Sequence, residues 1–159
     1  MTVSDTRSEA DDKSGAALVS MIAEAGHRIL EKMIVPDDVY RIRAEVSRWI
    51  ADPAVSVVIT TGGTGLTGRD GTPEAVTPLL DKTIDGFGES FRAISYDVIG
   101  TSTMLSRALA GVANGTFVFC LPGSVGACKD AWSKLISHQL DYRTRPCNLV
   151  DIMPRLVER

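Results

Sequence analysis

The chain has 159 residues, of which 44% are apolar and 23% charged, and its formal net charge is -3. That length suits a single domain around one core, and the mild acidic balance excludes the basic footprint of a nucleic-acid-binding surface. No apolar run approaches the roughly 20 residues needed to cross a bilayer. The polar, acidic start carries no signal pattern, so a cytoplasmic protein without a membrane partner is expected.

In chain order, residues 1–4 read as the tail of a short strand, followed by a polar loop over residues 5–14. Ser14 is placed to cap a helix in which Leu18, Met21, Ile22 and Ala25 fall at helical spacing, with Gly26 as its stop. Residues 27–35 read as a second strand, punctuated by Pro36, Asp37 and Asp38. A second amphipathic helix follows, with Val39, Ile42, Val46, Trp49 and Ile50 on one face, and Asp52-Pro53 ends it. Residues 55–61 form a nearly unbroken β-branched run, the pattern of a strand covered on both faces of a parallel sheet. A glycine-rich loop then extends to Pro73. Helices are expected over residues 73–80, 87–96 and 102–112, the last ended by Asn114-Gly115. Residues 116–121 read as an apolar strand, residues 125–140 as a helix, and residues 141–159 as polar and irregular. The alternation predicts a single α/β domain with a doubly wound, mostly parallel sheet between helical layers.

In such folds ligands collect beyond the carboxyl ends of the strands. Four loops meet that condition, after Ser4, Val35, Thr61 and Leu121, and they hold most of the chemistry-grade residues. The loop after Thr61 has five glycines between residues 62 and 71. Its exposed N–H groups, around Gly62, Gly63, Thr64 and Gly65, and the hydroxyls of Thr64, Thr67 and Thr72 make a candidate anion cradle. Residues 63–68 also match G-x-G-x-x-G, but Gly68, Gly71 and Pro73 postpone the helix, and Arg69-Asp70 stands where a phosphate-loop lysine would be. Dinucleotide binding and P-loop hydrolysis both lose ground.

Asp37 and Asp70 fall in two of these loops. Two acids facing a phosphate cradle repel the ligand unless a divalent cation lies between them, and Mg²⁺ characteristically takes one or two carboxylates plus phosphate oxygens. The local alternatives are a helix cap for Asp37 and an Asx-turn for Asp70. Gly123 and Ser124 open a helix after a strand and suit a second anionic group. Ser4, Asp5 and Arg7 follow the first strand. The three cysteines have no metal-like or disulfide-framework spacing and are read as reduced thiols; His27 and His138 are read as structural or surface residues.

Taken together, the loops resemble the MoaB/MogA family of molybdenum cofactor biosynthesis proteins, which includes the gephyrin G domain. The resemblance is carried by Ser4-Asp5-Thr6-Arg7, Asp11-Asp12-Lys13-Ser14-Gly15 and Pro36-Asp37-Asp38. It continues through Thr60-Thr61-Gly62-Gly63-Thr64-Gly65, Arg69-Asp70-Gly71-Thr72-Pro73-Glu74-Ala75, Gly86-Phe87-Gly88-Glu89 and Leu121-Pro122-Gly123-Ser124. The tail at residues 141–148 resembles the MoaB branch. The resemblance implies a three-layer α/β/α fold, a homo-oligomer of three or six chains, and work alongside other enzymes of the cofactor pathway. It also implies adenylylation of molybdopterin with ATP and Mg²⁺, releasing pyrophosphate. Asp37 and Asp70 then match the functional aspartates, and Gly62, Gly63, Thr64, Gly65 and Ser124 the pterin-binding loops. A non-catalytic pterin carrier and an oligomeric scaffold are the other two readings of these residues.

Overall fold

The computed structural model describes residues 1–158. Its centre is a six-stranded sheet in the order β2-β1-β3-β6-β5-β4. The strands are β1 (Thr2–Val3), β2 (Ile34–Val35), β3 (Val57–Thr61), β4 (Lys82–Thr83), β5 (Leu109–Ala113) and β6 (Thr116–Leu121). The first four in spatial order are parallel and the last two pairings antiparallel, so the expected mostly parallel sheet carries an antiparallel edge.

β6 shows why helices cover both faces. Its side chains alternate: Phe117, Phe119 and Leu121 enter one core, Val118 and Cys120 the other. The first core is closed by α1 (Lys13–Glu24), α4 (Asp85–Ile99) and α5 (Val125–Ala131), through Leu18, Phe87, Phe91, Cys128 and Ala131. The second is closed by α2 (Val39–Ile50) and α3 (Thr72–Val76), through Ile42, Val46, Trp49, Ala75 and Val76. Cys120 and Cys128 are buried and Cys147 exposed, all free; burial pushes the Cys120 thiol up to about 12. His27 sits edge-on to Trp132, 6.0 Å between ring centres. Among the described residues no helix is long and apolar enough to cross a membrane.

Several sequence expectations are corrected. The strand expected over residues 27–35 shrinks to Ile34–Val35, because β1 offers only Thr2 and Val3 as partners. The helix expected over residues 102–112 is a 3-10 segment, Gly100–Leu105, followed by strand β5. Asn114 and Gly115 both have positive φ (48° and 81°) and turn β5 directly into β6. That is the signature of a two-residue hairpin, not of a helix end. A short apolar run such as Leu109–Ala113 has no periodicity to separate helix from strand. The expected helix over residues 73–80 ends at Val76 and tightens into a 3-10 turn, Thr77–Leu79, at Pro78. The helix over residues 125–140 is continuous to Gln139, through a π turn at Trp132–Ile136. The tail contains a short helix, α6 (Leu149–Ile152), followed by a 3-10 turn, Met153–Arg155; Arg159, the last of the residues read as irregular, lies outside the described residues.

The cap of α1 is Asp12 rather than Ser14. Asp12 accepts from the Gly15 N–H (2.9 Å) and the Thr2 hydroxyl (2.7 Å) and lies 3.2 Å from the Lys32 ammonium. It thereby ties α1 to β1 and to the approach to β2. Burial pushes its carboxyl up, but the Gly15 N–H, the Thr2 hydroxyl and Lys32 together outweigh that and hold it below the usual range. Asp12→Ala leaves those donors unpaired and is expected to cost about 3 kcal/mol in urea unfolding at pH 7. A folded-state value below the unfolded one means that Asp12 stabilises above the ordinary aspartate range. The difference between variant and parent therefore shrinks as pH falls through that range.

Candidate functional site

The register sets the geometry. β3 and β6 pair from Val57↔Phe117 to Thr61↔Leu121, β1 meets β3 at Thr2↔Thr61, and β1 meets β2 at Val3↔Val35. All four parallel strands therefore end level, and the loops that leave them start side by side. Gly62 N–H donates to the Leu121 carbonyl (3.0 Å) and the Thr61 hydroxyl to the Pro122 carbonyl (3.0 Å). A β-carbon on Gly123 would lie 3.3 Å from the Gly62 Cα.

The turn out of β3 runs through two positive-φ glycines, Gly62 (107°) and Gly63 (64°). Both positions also lack room. A β-carbon at residue 62 would lie 2.2 Å from the Val3 carbonyl oxygen, and one at residue 63 would lie 2.4 Å from the Thr72 hydroxyl and 2.9 Å from an Asp37 oxygen. Only glycine fits this path. The loop is closed behind by Thr72, whose hydroxyl donates to the Gly62 carbonyl (2.9 Å) and whose N–H donates to the Gly63 carbonyl (2.9 Å).

A cleft of about 510 Å³ opens on this loop. Gly62, Gly63, Thr64, Gly65, Asp70, Gly123 and Ser124 line one side, and Phe91, Val98, Ile99 and Leu105 supply an apolar wall. Seven of the eleven residues singled out from sequence thus share one cleft. Asp37, Ser4, Asp5 and Arg7 do not line it; they brace its floor. The Ser4 hydroxyl accepts from the Arg7 N–H (3.2 Å). An Asp5 oxygen accepts from the Asp37 N–H (2.9 Å). Arg7 donates to the Ser14 hydroxyl (2.6 Å) and to the Gly123 carbonyl (2.9 Å), joining the first loop to the last. A second cavity of about 360 Å³ lies beside the amino-terminal half of β3, walled by Leu18, Ile22, Val57, Ile59 and Trp132. It has neither the amides nor the paired acids of the glycine loop and is not a candidate for the same chemistry.

Two of the expected cradle hydroxyls are already committed. Thr72 is bound to Gly62, and the Thr67 hydroxyl donates to Asp70 (2.6 Å). The local alternatives for the two acids part ways. Asp38, not Asp37, caps α2, accepting from the Tyr40 and Arg41 N–H groups at 2.9 Å each. Asp70 does close a local turn, accepting from the Thr67 N–H (2.8 Å). Ser124 caps α5, accepting from the Ala127 N–H (3.1 Å).

The acids carry opposite perturbations. Burial, followed by the Asp70 and Asp5 charges, raises the Asp37 carboxyl above the usual range, against one Gly71 N–H bond at 3.2 Å. Asp70 is held below it, chiefly by the Thr67 hydroxyl and amide, with the Gly65 amide and Arg107 assisting. Among the described residues Asp5 pairs with Arg69 (3.5 Å), whereas neither Asp37 nor Asp70 forms an ion pair. No group of three or more His, Cys, Asp or Glu among them is arranged to hold a metal alone. Two unneutralised carboxylates beside a cradle of amides fit Mg²⁺, which keeps water and substrate phosphates in its remaining positions. Sequence reasoning missed Arg107, which reaches the loop from the entry to β5; it lay inside a segment read as helix.

Residues 1–142 match the family profile described as a probable molybdopterin binding domain. The chain is 55% identical over 148 residues to molybdenum cofactor biosynthesis protein B of Escherichia coli K12, covering 93% of this chain and 87% of that one. A crystal structure of a molybdenum cofactor biosynthesis protein B superposes with a TM-score of 0.85 at 51% identity, over 87% of each chain. The tungsten cofactor synthesizing protein MoaB from Pyrococcus furiosus superposes with a TM-score of 0.78 at 41% identity, over 87% of this chain and 88% of that one.

Because the Asp37 carboxyl is raised in the folded protein, its charge opposes folding once pH exceeds the ordinary aspartate range. Asp37→Asn keeps an acceptor for Gly71 and removes the charge. It is expected to raise the melting temperature at pH 7 by about 1–3 °C, a gain that fades towards pH 4. A lower melting temperature at pH 7 would contradict the charge assignment.

Proposed function

The chain belongs to the molybdopterin-binding family of molybdenum cofactor biosynthesis, and from that premise we propose that it is a molybdopterin adenylyltransferase. In this reading a terminal phosphate oxygen of the pterin attacks the α-phosphorus of ATP. The bond from the α-phosphorus to the bridging oxygen breaks, and pyrophosphate leaves. Two polyanions must meet in line, so the site needs alignment and charge neutralisation more than a protein nucleophile. The observation that carries the reading is a pair of carboxylates flanking an amide-rich turn, Asp37 against Gly63 and Asp70 against Gly65, neither of them in an ion pair among the described residues.

The residues divide the work as follows. The Gly62 N–H is taken by the Leu121 carbonyl and the Gly65 N–H by Asp70, so the Gly63 and Thr64 N–H groups, with the Thr64 hydroxyl, receive the pterin phosphate. The amino-terminal end of α5, behind Gly123 and Ser124, favours a second anionic group. The apolar wall of Phe91, Val98, Ile99 and Leu105 suits a flat heterocycle. Asp37 and Asp70 would hold Mg²⁺, which supplies charge neutralisation for the transferring and leaving phosphates. The loop holds both carboxylates in place through its own amides, Thr67 and Gly65 on Asp70 and Gly71 on Asp37. The same reading takes the working protein to be a cytoplasmic homo-oligomer of three or six chains that hands its product to other enzymes of the pathway.

Purified protein given molybdopterin, ATP and Mg²⁺ is expected to release pyrophosphate. Asp37→Ala and Asp70→Ala should each lower kcat by about 100-fold or more while changing pterin affinity less than about threefold. Absence of pyrophosphate with pterin binding intact would make the protein a carrier. Full activity in both variants would remove the carboxylates from the mechanism.

A further inference from the structure

Arg107 stands at the entry to β5, outside every motif that points to the site. Its guanidinium donates to both ends of the exposed part of the glycine loop. The Nε–H donates to the Gly65 carbonyl at 2.8 Å, and Nη2 donates to the Asp70 carbonyl at 2.9 Å. The third nitrogen, Nη1, pairs with the Glu74 carboxylate in the first turn of α3. Residues 66–69 between the two clamped carbonyls are exposed. The Asp70 carboxylate accepts from the Thr67 N–H and hydroxyl and from the Gly65 N–H, the Asp70 N–H donates to the Thr67 carbonyl at 3.0 Å, and Arg69 pairs with Asp5 at 3.5 Å.

We propose that Arg107 is a positioning residue: by bridging the Gly65 and Asp70 carbonyls it closes the neck of the glycine loop and fixes where the Asp70 carboxylate points. Asp70 lies in a segment with Gly68 and Gly71 close by and solvent around residues 66–69, so its backbone has many accessible conformations when untied. Arg107 removes that freedom from a rigid anchor. The residue that follows it, Ala108, is buried, and the Ala108 carbonyl accepts from Arg92 of α4 at 3.3 Å. Arg107 itself is only 28% exposed at the side chain. The chemistry also selects arginine. Three acceptors lie around one planar fork, and a lysine ammonium at the same place reaches a single carbonyl without the fixed geometry. Because the carbonyls are backbone groups, the clamp acts on the loop and not on the ligand.

The catalytic consequence rests on the adenylyl-transfer reading; the clamp itself does not. The test therefore measures both, on full-length Arg107→Lys and Arg107→Ala protein. Hydrogen exchange of residues 65–72 is expected to speed up in both variants, by about tenfold or more, while melting temperature moves by no more than about 3 °C. In the pyrophosphate assay kcat should fall by about 30-fold or more with the KM for molybdopterin within about threefold. Guanidinium ion added to Arg107→Ala should restore part of kcat, and the same concentration of ammonium should not. Unchanged exchange in the loop overturns the proposal, as does a fully active Arg107→Lys. Loss of exchange protection throughout the chain also overturns it, because Arg107 would then be a general stabiliser. If the unmodified protein releases no pyrophosphate, the adenylyl-transfer reading fails by itself, and the exchange result still decides whether Arg107 holds the loop.

Discussion

The Val3 carbonyl oxygen would stand 2.2 Å from any β-carbon placed on residue 62. That contact makes the turn out of β3 glycine, brings its backbone against β1, and leaves its amides free of side chains. The neighbouring glycine, Gly63, does the same towards Thr72 and Asp37. Beside this turn Asp5 accepts from the Asp37 amide and Arg7 donates to the Gly123 carbonyl. A sheet whose four parallel strands end level supplies the platform, but the bare turn turns a platform into a cleft.

The electrostatics follow from that crowding. Asp37 is desolvated and faces the charges of Asp70 and Asp5 with one amide bond in return. Asp70 is well satisfied by Thr67. One acid is thus strained by its charge and the other is fixed in direction, a combination that favours an incoming cation over an isolated pair of carboxylates. The buried Asp12 shows the contrast in the same chain: its charge is matched by Lys32, Thr2 and the α1 amides, and it serves the fold.

The candidate cleft was more legible in the sequence than the edges of the fold, since seven of the residues singled out line it. Gly62 to Gly65, Asp70, Gly123 and Ser124 are contiguous in short segments whose chemistry is local, so spacing alone brings them out. β6 was equally plain, because six consecutive buried residues from Thr116 to Leu121 have strong strand character. β5 was misread since Leu109–Ala113 is short, small and aperiodic, and its identity depends on pairing with β6. β4 escaped notice as two exposed polar residues, Lys82 and Thr83, held only by the edge of β5. Arg107 shares that limit: its partners lie 33 to 42 residues away in sequence, and no local pattern announces a contact to distant carbonyls.

In the proposed reading Asp37, Asp70 and a phosphate ligand form one cation site, incomplete without all three. Titration of Mn²⁺ followed by electron paramagnetic resonance, with and without ATP, addresses it directly. One tight Mn²⁺ per chain is expected only when ATP is present, and it is lost in Asp37→Asn and in Asp70→Asn. Equal Mn²⁺ binding with and without nucleotide, or binding unchanged in both variants, would contradict it.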